Sequence, residues 1–188
     1  MLIHKDDDLA EVEISGRRFI GKNLVLSVSL AREFQCEKPW SAISVATYKD
    51  FAHIDGKYRI SLLQLAFPDM DLPRKGWDPF SCEQAREVFD FTEKYWNISE
   101  VFMIHCEAGI SRSAAIAAAL HKVYIGGDNN KYWKIYRPNA LVYSTLLKVA
   151  VERNLWDSTA DPDTPHSTRE TADPAPTHLF TTEEEEWT

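Results

Sequence analysis

Cysteine is scarce in this 188-residue sequence, which contains only Cys36, Cys82 and Cys106 at irregular spacing. Three cysteines spaced in this way provide neither the paired framework of a disulfide-stabilised domain nor the ligand spacing of a zinc site. The sequence also lacks an apolar run of about 20 residues, as a membrane helix requires, and an N-terminal secretory signal. We therefore expect a cytoplasmic protein with reduced thiols, no bound metal and no membrane association.

The formal net charge of −8 is unevenly distributed along the chain. Residues 154–188 contain nine acidic residues and one basic residue, Arg169, which leaves 20 of each sign in residues 1–153. This acidic segment is also rich in proline and threonine, a composition that predicts disorder. Residues 1–153 contain no internal repeat, no Gly/Ser linker and no basic patch with interspersed aromatics. We therefore expect one folded domain there that does not bind nucleic acid.

Short β-prone apolar runs alternate with helical patterns in residues 1–153. Strands are predicted at 23–30, 41–48, 59–66 and 101–104, and helices at 82–95, 112–125 and 140–152. The helical segments have apolar residues at helical spacing or runs of alanine, whereas the last strand is an uninterrupted apolar run. Strands that alternate with helices predict a single α/β domain with a mainly parallel central sheet flanked by helices.

The most informative segment is His-Cys-Glu-Ala-Gly-Ile-Ser-Arg-Ser at residues 105–113. It lies between the last predicted strand and an alanine-rich helix, so its cysteine is predicted to lie on a strand-to-helix turn. In such a turn the N–H groups of the loop and of the first helical turn converge, and the helix dipole adds partial positive charge. The segment therefore predicts a cradle for a phosphate dianion.

Each residue type in this segment suits a step of phosphate chemistry. A helix N-terminus and a neighbouring cation favour the thiolate form of Cys106, the predicted nucleophile. Arg112 can offer a planar pair of donors to two phosphoryl oxygens, and Gly109 allows the backbone to bend close to the anion. Ser113 can donate its hydroxyl to the sulfur, and His105 can fix the cysteine by hydrogen-bonding the loop backbone.

The full string resembles the signature loop of the cysteine-dependent protein tyrosine phosphatase superfamily, His-Cys-x-x-Gly-x-x-Arg-Ser/Thr. Its form His-Cys-x-Ala-Gly-x-Ser-Arg-Ser is similar to that of the dual-specificity branch. The resemblance implies that residues 1–153 form a catalytic domain with that family's fold, and that a cysteinyl-phosphate intermediate forms without metal or other cofactor. It also implies that the phosphoryl group binds to the loop residues Glu107, Ala108, Gly109, Ile110, Ser111 and Arg112.

A general acid is expected on a loop upstream of the cysteine, because a phosphoester oxygen leaves poorly without a proton. The sequence Phe-Pro-Asp-Met-Asp at residues 67–71 follows the third predicted strand. Its first three residues are similar to the Trp-Pro-Asp loop that carries the acid in tyrosine-specific members of the superfamily. The resemblance implies that Asp69 is the general acid, and Asp71 stays open as the alternative.

A further resemblance involves Tyr-Arg-Pro-Asn at residues 136–139, just before the last predicted helix. It is similar to an Arg-Pro-Asn segment of dual-specificity phosphatases, in which the asparagine braces the signature loop. The resemblance implies that Asn139 supports the loop from behind. An ordinary N-terminal helix cap explains the same residue equally well.

The resemblance implies a substrate with a single phosphate on a protein side chain, phosphotyrosine first, with phosphoserine and phosphothreonine as further candidates. Lipid-directed members often have lysines in the signature loop, whereas this loop has the acidic Glu107, which repels polyanionic substrates. Two alternatives stay open: a small or non-protein phosphoester substrate, and a pseudophosphatase that binds phosphoproteins without hydrolysing them. The sequence does not indicate an oligomeric state.

Overall fold

The centre of the protein is a four-stranded parallel sheet, in a computed structural model that describes residues 11–14, 17–72, 74–127, 129–157 and 159. A short antiparallel hairpin, β1 (Glu11–Ile14) and β2 (Arg17–Ile20), precedes it. The sheet contains β3 (Asn23–Ser27), β4 (Trp40–Ala46), β5 (Arg59–Ala66) and β6 (Val101–Cys106), in the order β3-β6-β4-β5. The predicted α/β fold with a mainly parallel sheet is therefore confirmed.

Five helices accompany the described strands: α1 (Val28–Arg32), α2 (Cys82–Tyr95), α3 (Arg112–Leu120), α4 (Asn130–Ile135) and α5 (Ala140–Glu152). The bounds predicted for β5, α2 and α5 agree with the structure. The predicted helix 112–125 is α-helical up to Leu120 and continues as a π-helical turn, His121–Ile125. The β1–β2 hairpin and the helices α1 and α4 are not predicted from the sequence.

The predicted strand 23–30 is too long by three residues. Strand β3 ends at Ser27, whose hydroxyl accepts a hydrogen bond of 3.3 Å from the Leu30 N–H and so caps α1. Because a serine in this role satisfies a free N–H group at the start of a helix, the chain turns into a helix although valine and leucine follow.

The two faces of the sheet pack against different helices, and both faces are apolar. Strand β6 lies between β3 and β4, and all six of its residues are buried. Residues 107–111, which we call the signature loop, connect β6 to α3. All nine residues of α3 are buried as well. The loop from β6 to α3 is therefore held between two buried elements at the carboxyl edge of the sheet, where parallel α/β proteins place their sites.

Among the described residues, no helix is both long enough and apolar enough to cross a membrane. The predicted disordered segment, residues 154–188, lies outside the described residues except for 154–157 and 159. Its disorder and the domain boundary at residue 153 therefore stay predictions.

Candidate active site

The carboxyl ends of all four parallel strands meet around the signature loop. Val28, after β3, donates its N–H to the Glu107 carbonyl oxygen at 3.2 Å. Thr47, after β4, and Phe67, after β5, both accept hydrogen bonds from the Arg112 guanidinium. Cys106 is the last residue of β6 itself. The local motif thus becomes a site only because the topology brings four strand ends together.

The Cys106 thiol is buried, with 1 % of the residue exposed. Its Sγ atom lies 3.1 Å from the Ser113 Oγ atom, and the Gly109 N–H donates to Sγ at 3.3 Å. The Ser113 hydroxyl and the Gly109 N–H therefore both lie within hydrogen-bond distance of the sulfur. The structure therefore brings together the predicted nucleophile and the hydroxyl predicted to assist it.

Gly109 adopts a left-handed backbone conformation with φ +70. A Cβ atom at this position would lie 2.4 Å from the Ser27 nitrogen and 2.5 Å from the Leu26 carbonyl carbon. Both are backbone atoms at the end of β3, which cannot shift as a flexible side chain can. The loop therefore requires glycine here for its conformation and for its close contact with the sheet.

The Arg112 side chain is 5 % exposed and is held by groups from three segments of the chain. Its Nη1 atom donates to the Phe67 carbonyl oxygen at 2.9 Å and to Thr47 Oγ1 at 3.2 Å. Its Nη2 atom donates to Glu107 Oε2. Thr47 is not predicted from the sequence, because the strand predicted at 41–48 includes it, whereas β4 ends at Ala46 and leaves Thr47 directly after the strand.

The Glu107 carboxylate faces Arg112 and Thr47. Its Oε1 atom accepts hydrogen bonds from the backbone N–H and the hydroxyl of Thr47, each at 2.9 Å. Partial burial raises the pKa of Glu107, but its own backbone N–H, the Arg112 guanidinium and the two Thr47 groups lower it by more. The net pKa lies below the ordinary value, so the carboxylate is ionised at neutral pH. The ion pair with Arg112 partly neutralises this negative charge. Glu107 therefore repels polyanionic substrates less than the sequence predicts.

The structure separates the two candidates for the general acid. Asp69 Oδ1 accepts hydrogen bonds from Ser111 Oγ at 2.7 Å and from Asn139 Nδ2 at 2.9 Å, and Oδ2 lies 3.8 Å from Arg112 Nε. Asp71 Oδ1 instead accepts the Ala140 N–H at 3.2 Å, at the start of α5. The carboxylate of Asp69 therefore lies in the site, and that of Asp71 caps a helix.

Asn139 combines the two functions that the sequence left as alternatives. Its Oδ1 atom caps α5 by accepting the Val142 N–H at 3.0 Å, while its backbone N–H donates to the Ser111 carbonyl oxygen at 3.2 Å. The same side chain holds Asp69 through Nδ2. Asn139 thus connects the signature loop, the aspartate loop and the last helix.

The other predicted loop residues contribute their backbone more than their side chains. Ala108 is exposed, and the Ile110 side chain also faces solvent. The Ile110 carbonyl oxygen accepts the Arg137 N–H at 3.1 Å, which fixes the loop from the side of α5. Within the described ranges, no cluster of three or more His, Cys, Asp or Glu residues is arranged to hold a metal ion.

His105 is 2 % exposed, and neither ring nitrogen makes a hydrogen bond of normal geometry to a described residue. Burial lowers the pKa of His105 to about 4, against smaller opposing effects of the Cys106 backbone and Glu107. The imidazole is therefore neutral near pH 7. The ring lies beside the Cys106 backbone, but the predicted hydrogen bond to the loop does not reach normal geometry.

We expect the stability of the protein to fall between pH 7.5 and pH 5 because of His105. The unfolded chain binds a proton near the ordinary histidine pKa of about 6.5, whereas the folded protein does so only near pH 4. The free energy of unfolding should therefore decrease by about 2 kcal/mol over this interval. Urea denaturation at several pH values measures this decrease.

His105→Gln should reduce the change of unfolding free energy with pH, whereas His53→Gln, at an exposed position, should leave it unchanged. If the unfolding free energy changes equally with pH in the wild type and both variants, His105 is not the cause.

No protein-family model and no curated protein matches the sequence. Solved structures do match. The structure of human DUSP28 gives a TM-score of 0.49 at 15% identity, covering 70% of this chain and 92% of that one. The human tyrosine phosphatase-like serine/threonine/tyrosine-interacting protein gives 0.46 at 17% identity, covering 62% and 80%. PTPMT1 in complex with PI(5)P gives 0.43 at 15% identity, covering 80% and 96%.

Proposed function

We propose that this protein is a phosphatase of the cysteine-dependent protein tyrosine phosphatase superfamily, related to its dual-specificity branch. One observation carries the proposal: a buried cysteine, a buried arginine and an aspartate from a separate loop converge at the carboxyl edge of the sheet. Asp69 Oδ2 lies 3.8 Å from Arg112 Nε, and Arg112 begins the helix that follows the Cys106 loop. A nucleophile, an anion-binding group and a proton donor are what phosphoryl transfer needs.

In the first step, Cys106 Sγ attacks phosphorus as the bond from phosphorus to the ester oxygen breaks. Arg112 and the N–H groups of the loop hold the equatorial oxygens and stabilise the charge that develops on them. Asp69 transfers a proton to the departing oxygen. Asp69 Oδ1 already accepts hydrogen bonds from Ser111 Oγ and Asn139 Nδ2. The proton is therefore carried by the other carboxyl oxygen, Oδ2, which lies on the side of Arg112.

In the second step, water attacks the cysteinyl-phosphate, and the bond between sulfur and phosphorus breaks. Asp69, now ionised, accepts a proton from the water as general base. The Ser113 hydroxyl, 3.1 Å from Sγ, stabilises the departing thiolate. Because the Cys106 sulfur is itself the nucleophile, the mechanism does not require a metal to generate hydroxide.

The substrate class in this proposal is a protein side chain with a single phosphate, phosphotyrosine first and phosphoserine or phosphothreonine second. Residues 107–112 contain no lysine, and their one cation is Arg112. That guanidinium is shared with the Glu107 carboxylate. Because the loop has one cation, and Glu107 partly neutralises it, the loop suits a substrate with one phosphoryl group better than one with several.

The proposal is tested by hydrolysis of p-nitrophenyl phosphate and phenyl phosphate in EDTA, with and without vanadate. We expect metal-independent turnover that vanadate inhibits. Asp69→Asn should lower kcat for phenyl phosphate, whose leaving group needs a proton, by about 10² to 10³, and affect p-nitrophenyl phosphate much less.

Asp71→Asn is the matched control, since asparagine can still accept the Ala140 N–H, and both substrates should keep their wild-type rates. If Asp71→Asn produces the leaving-group dependence instead, Asp69 is not the acid. A protein that binds a phosphotyrosine peptide tightly and never releases inorganic phosphate would be a binding module and would overturn the proposal.

A further inference from the structure

We propose that Glu107 and Thr47 act together as positioning residues for Arg112, holding its guanidinium so that one edge is free for the phosphoryl group. This inference rests on the proposed function, and it assigns a task to one variable position of the loop and to one residue outside it. We call the two residues the Glu107–Thr47 clamp.

The Arg112 guanidinium uses only some of its hydrogen-bond donors within the protein. A guanidinium has five N–H groups. Nη1 uses both of its groups, one on the Phe67 carbonyl oxygen at 2.9 Å and one on Thr47 Oγ1 at 3.2 Å. Nη2 uses one on Glu107.

Two donors remain, the Nε–H and the second N–H of Nη2. The buried Nε has no hydrogen-bond partner in the part of the chain that the structure describes. Asp69 Oδ2 lies 3.8 Å from this nitrogen. In a planar guanidinium the Nε–H lies on the same edge as one N–H of Nη2, and this edge binds two oxygens of one phosphate when Glu107 takes the other N–H of Nη2.

The residue types in the clamp determine the direction of each of its hydrogen bonds. Arg112 can only donate hydrogen bonds, and the ionised Glu107 carboxylate can only accept them. The Thr47 hydroxyl, which contacts both, must therefore donate to Glu107 Oε1 and accept from Arg112 Nη1. The Thr47 backbone N–H adds a second bond to Oε1. Each of the three residues is fixed by the other two, and the orientation of the guanidinium follows.

The exposure of the two charged side chains distinguishes positioning from general stabilisation. The Glu107 side chain is 48 % exposed, whereas that of Arg112 is 5 % exposed. Because the Glu107 carboxylate reaches solvent, which screens its charge, we expect its replacement to cost less stability than the loss of a partner from a fully buried pair. The pair of Glu107 and Arg112 restricts a long side chain with many rotamers, so its main effect is on the geometry of the guanidinium.

The test compares Glu107→Gln, Thr47→Val and Thr47→Ser with the wild type. Glu107→Gln should lower kcat/KM for p-nitrophenyl phosphate about tenfold to a hundredfold, mainly through kcat, and weaken vanadate inhibition in parallel. Thr47→Val should lower kcat/KM about tenfold, and Thr47→Ser, which keeps the hydroxyl, should recover most of it. The double variant should lose less than the product of the two single losses, because both act through one guanidinium.

The matched control is Glu100→Gln. Glu100 also forms an ion pair, with Lys38 at 3.4 Å, and its side chain is 53 % exposed, but it lies at the opposite end of β6. Its kinetics should equal those of the wild type, and the thermal stability of all variants should stay close to that of the wild type.

Two results would overturn the inference. If Glu107→Gln raises kcat/KM or tightens vanadate binding, the carboxylate competes with the phosphoryl group for Arg112. If the kinetic losses follow only a loss of thermal stability, and Thr47→Ser recovers nothing, the contacts are merely structural. If the proposed function itself is wrong, the wild type hydrolyses none of the test substrates, and this result distinguishes that failure from failure of the inference. Calorimetric titration with inorganic phosphate still measures the effect of the clamp on anion binding.

Discussion

Replacement of Cys106 with serine should abolish phosphatase turnover while leaving the fold and phosphate binding in place. A serine hydroxyl is not ionised at neutral pH and cannot replace the thiolate as nucleophile, so kcat should fall on the order of 10⁴-fold or more. Serine is no larger than cysteine, and it fits a position that is 1 % exposed and contacts the Ser113 hydroxyl and the Gly109 N–H. Initial rates with p-nitrophenyl phosphate and calorimetric titration with phosphate provide the two measurements.

Cys82→Ser is the control for this substitution. Cys82 is a free, partly buried cysteine at the start of α2, and its replacement should leave turnover unchanged. Persistent turnover in Cys106→Ser would mean that another group attacks phosphorus, and the mechanism would be wrong.

Gly109→Ala should strongly lower both the stability and the activity of the protein. The added methyl group would lie 2.4 Å from the Ser27 nitrogen, so the loop has to move away from the end of β3. We expect a loss of about 3 kcal/mol in the free energy of unfolding, from overlap together with the strain of a left-handed alanine. Movement of the loop also displaces the N–H that contacts Cys106, and kcat/KM should fall at least about a hundredfold.

Gly127→Ala separates the overlap from the strain. Gly127 has φ +72, nearly the value of Gly109, but a Cβ atom there meets nothing within 4 Å. It should therefore lose only the conformational contribution, about 1 kcal/mol, and keep full activity. Chemical denaturation and steady-state kinetics of both variants test this, and equal losses would show that contact with β3 does not matter.

Local signals in the sequence were sufficient for the elements that carry strong ones. Helix α2 begins where predicted because Ser81 and Gln84 form a reciprocal capping box, with bonds of 3.1 and 3.2 Å. Strand β3 ended early for a related reason, since Ser27 caps α1 against the β-propensity of the residues after it. Capping residues determine where such helices begin and where the preceding strands end. A serine can be recognised as a cap from the sequence only when the residues after it are known to be helical.

The candidate site shows the same division between local and long-range information. The loop residues from Cys106 to Ser113 are contiguous, so their pattern can be recognised in one sequence. The contact of Arg112 with Thr47 joins residues 65 positions apart, and that of Asn139 with Asp69 joins residues 70 positions apart. Such pairs follow from the order of strands in the sheet, which a single sequence does not specify.

Among the described residues, three hydrogen bonds hold the two aspartates of the loop at residues 67–71, from Ser111 and Asn139 to Asp69 and from the Ala140 N–H to Asp71. Any outward movement of this loop breaks all three at once. At about 1 kcal/mol each, they make the displaced form a minority on the order of one molecule in a hundred. A bulky ligand that requires the displaced form would then bind about a hundredfold more weakly than its contacts alone allow. We therefore expect these three hydrogen bonds to disfavour ligands that require the loop to move.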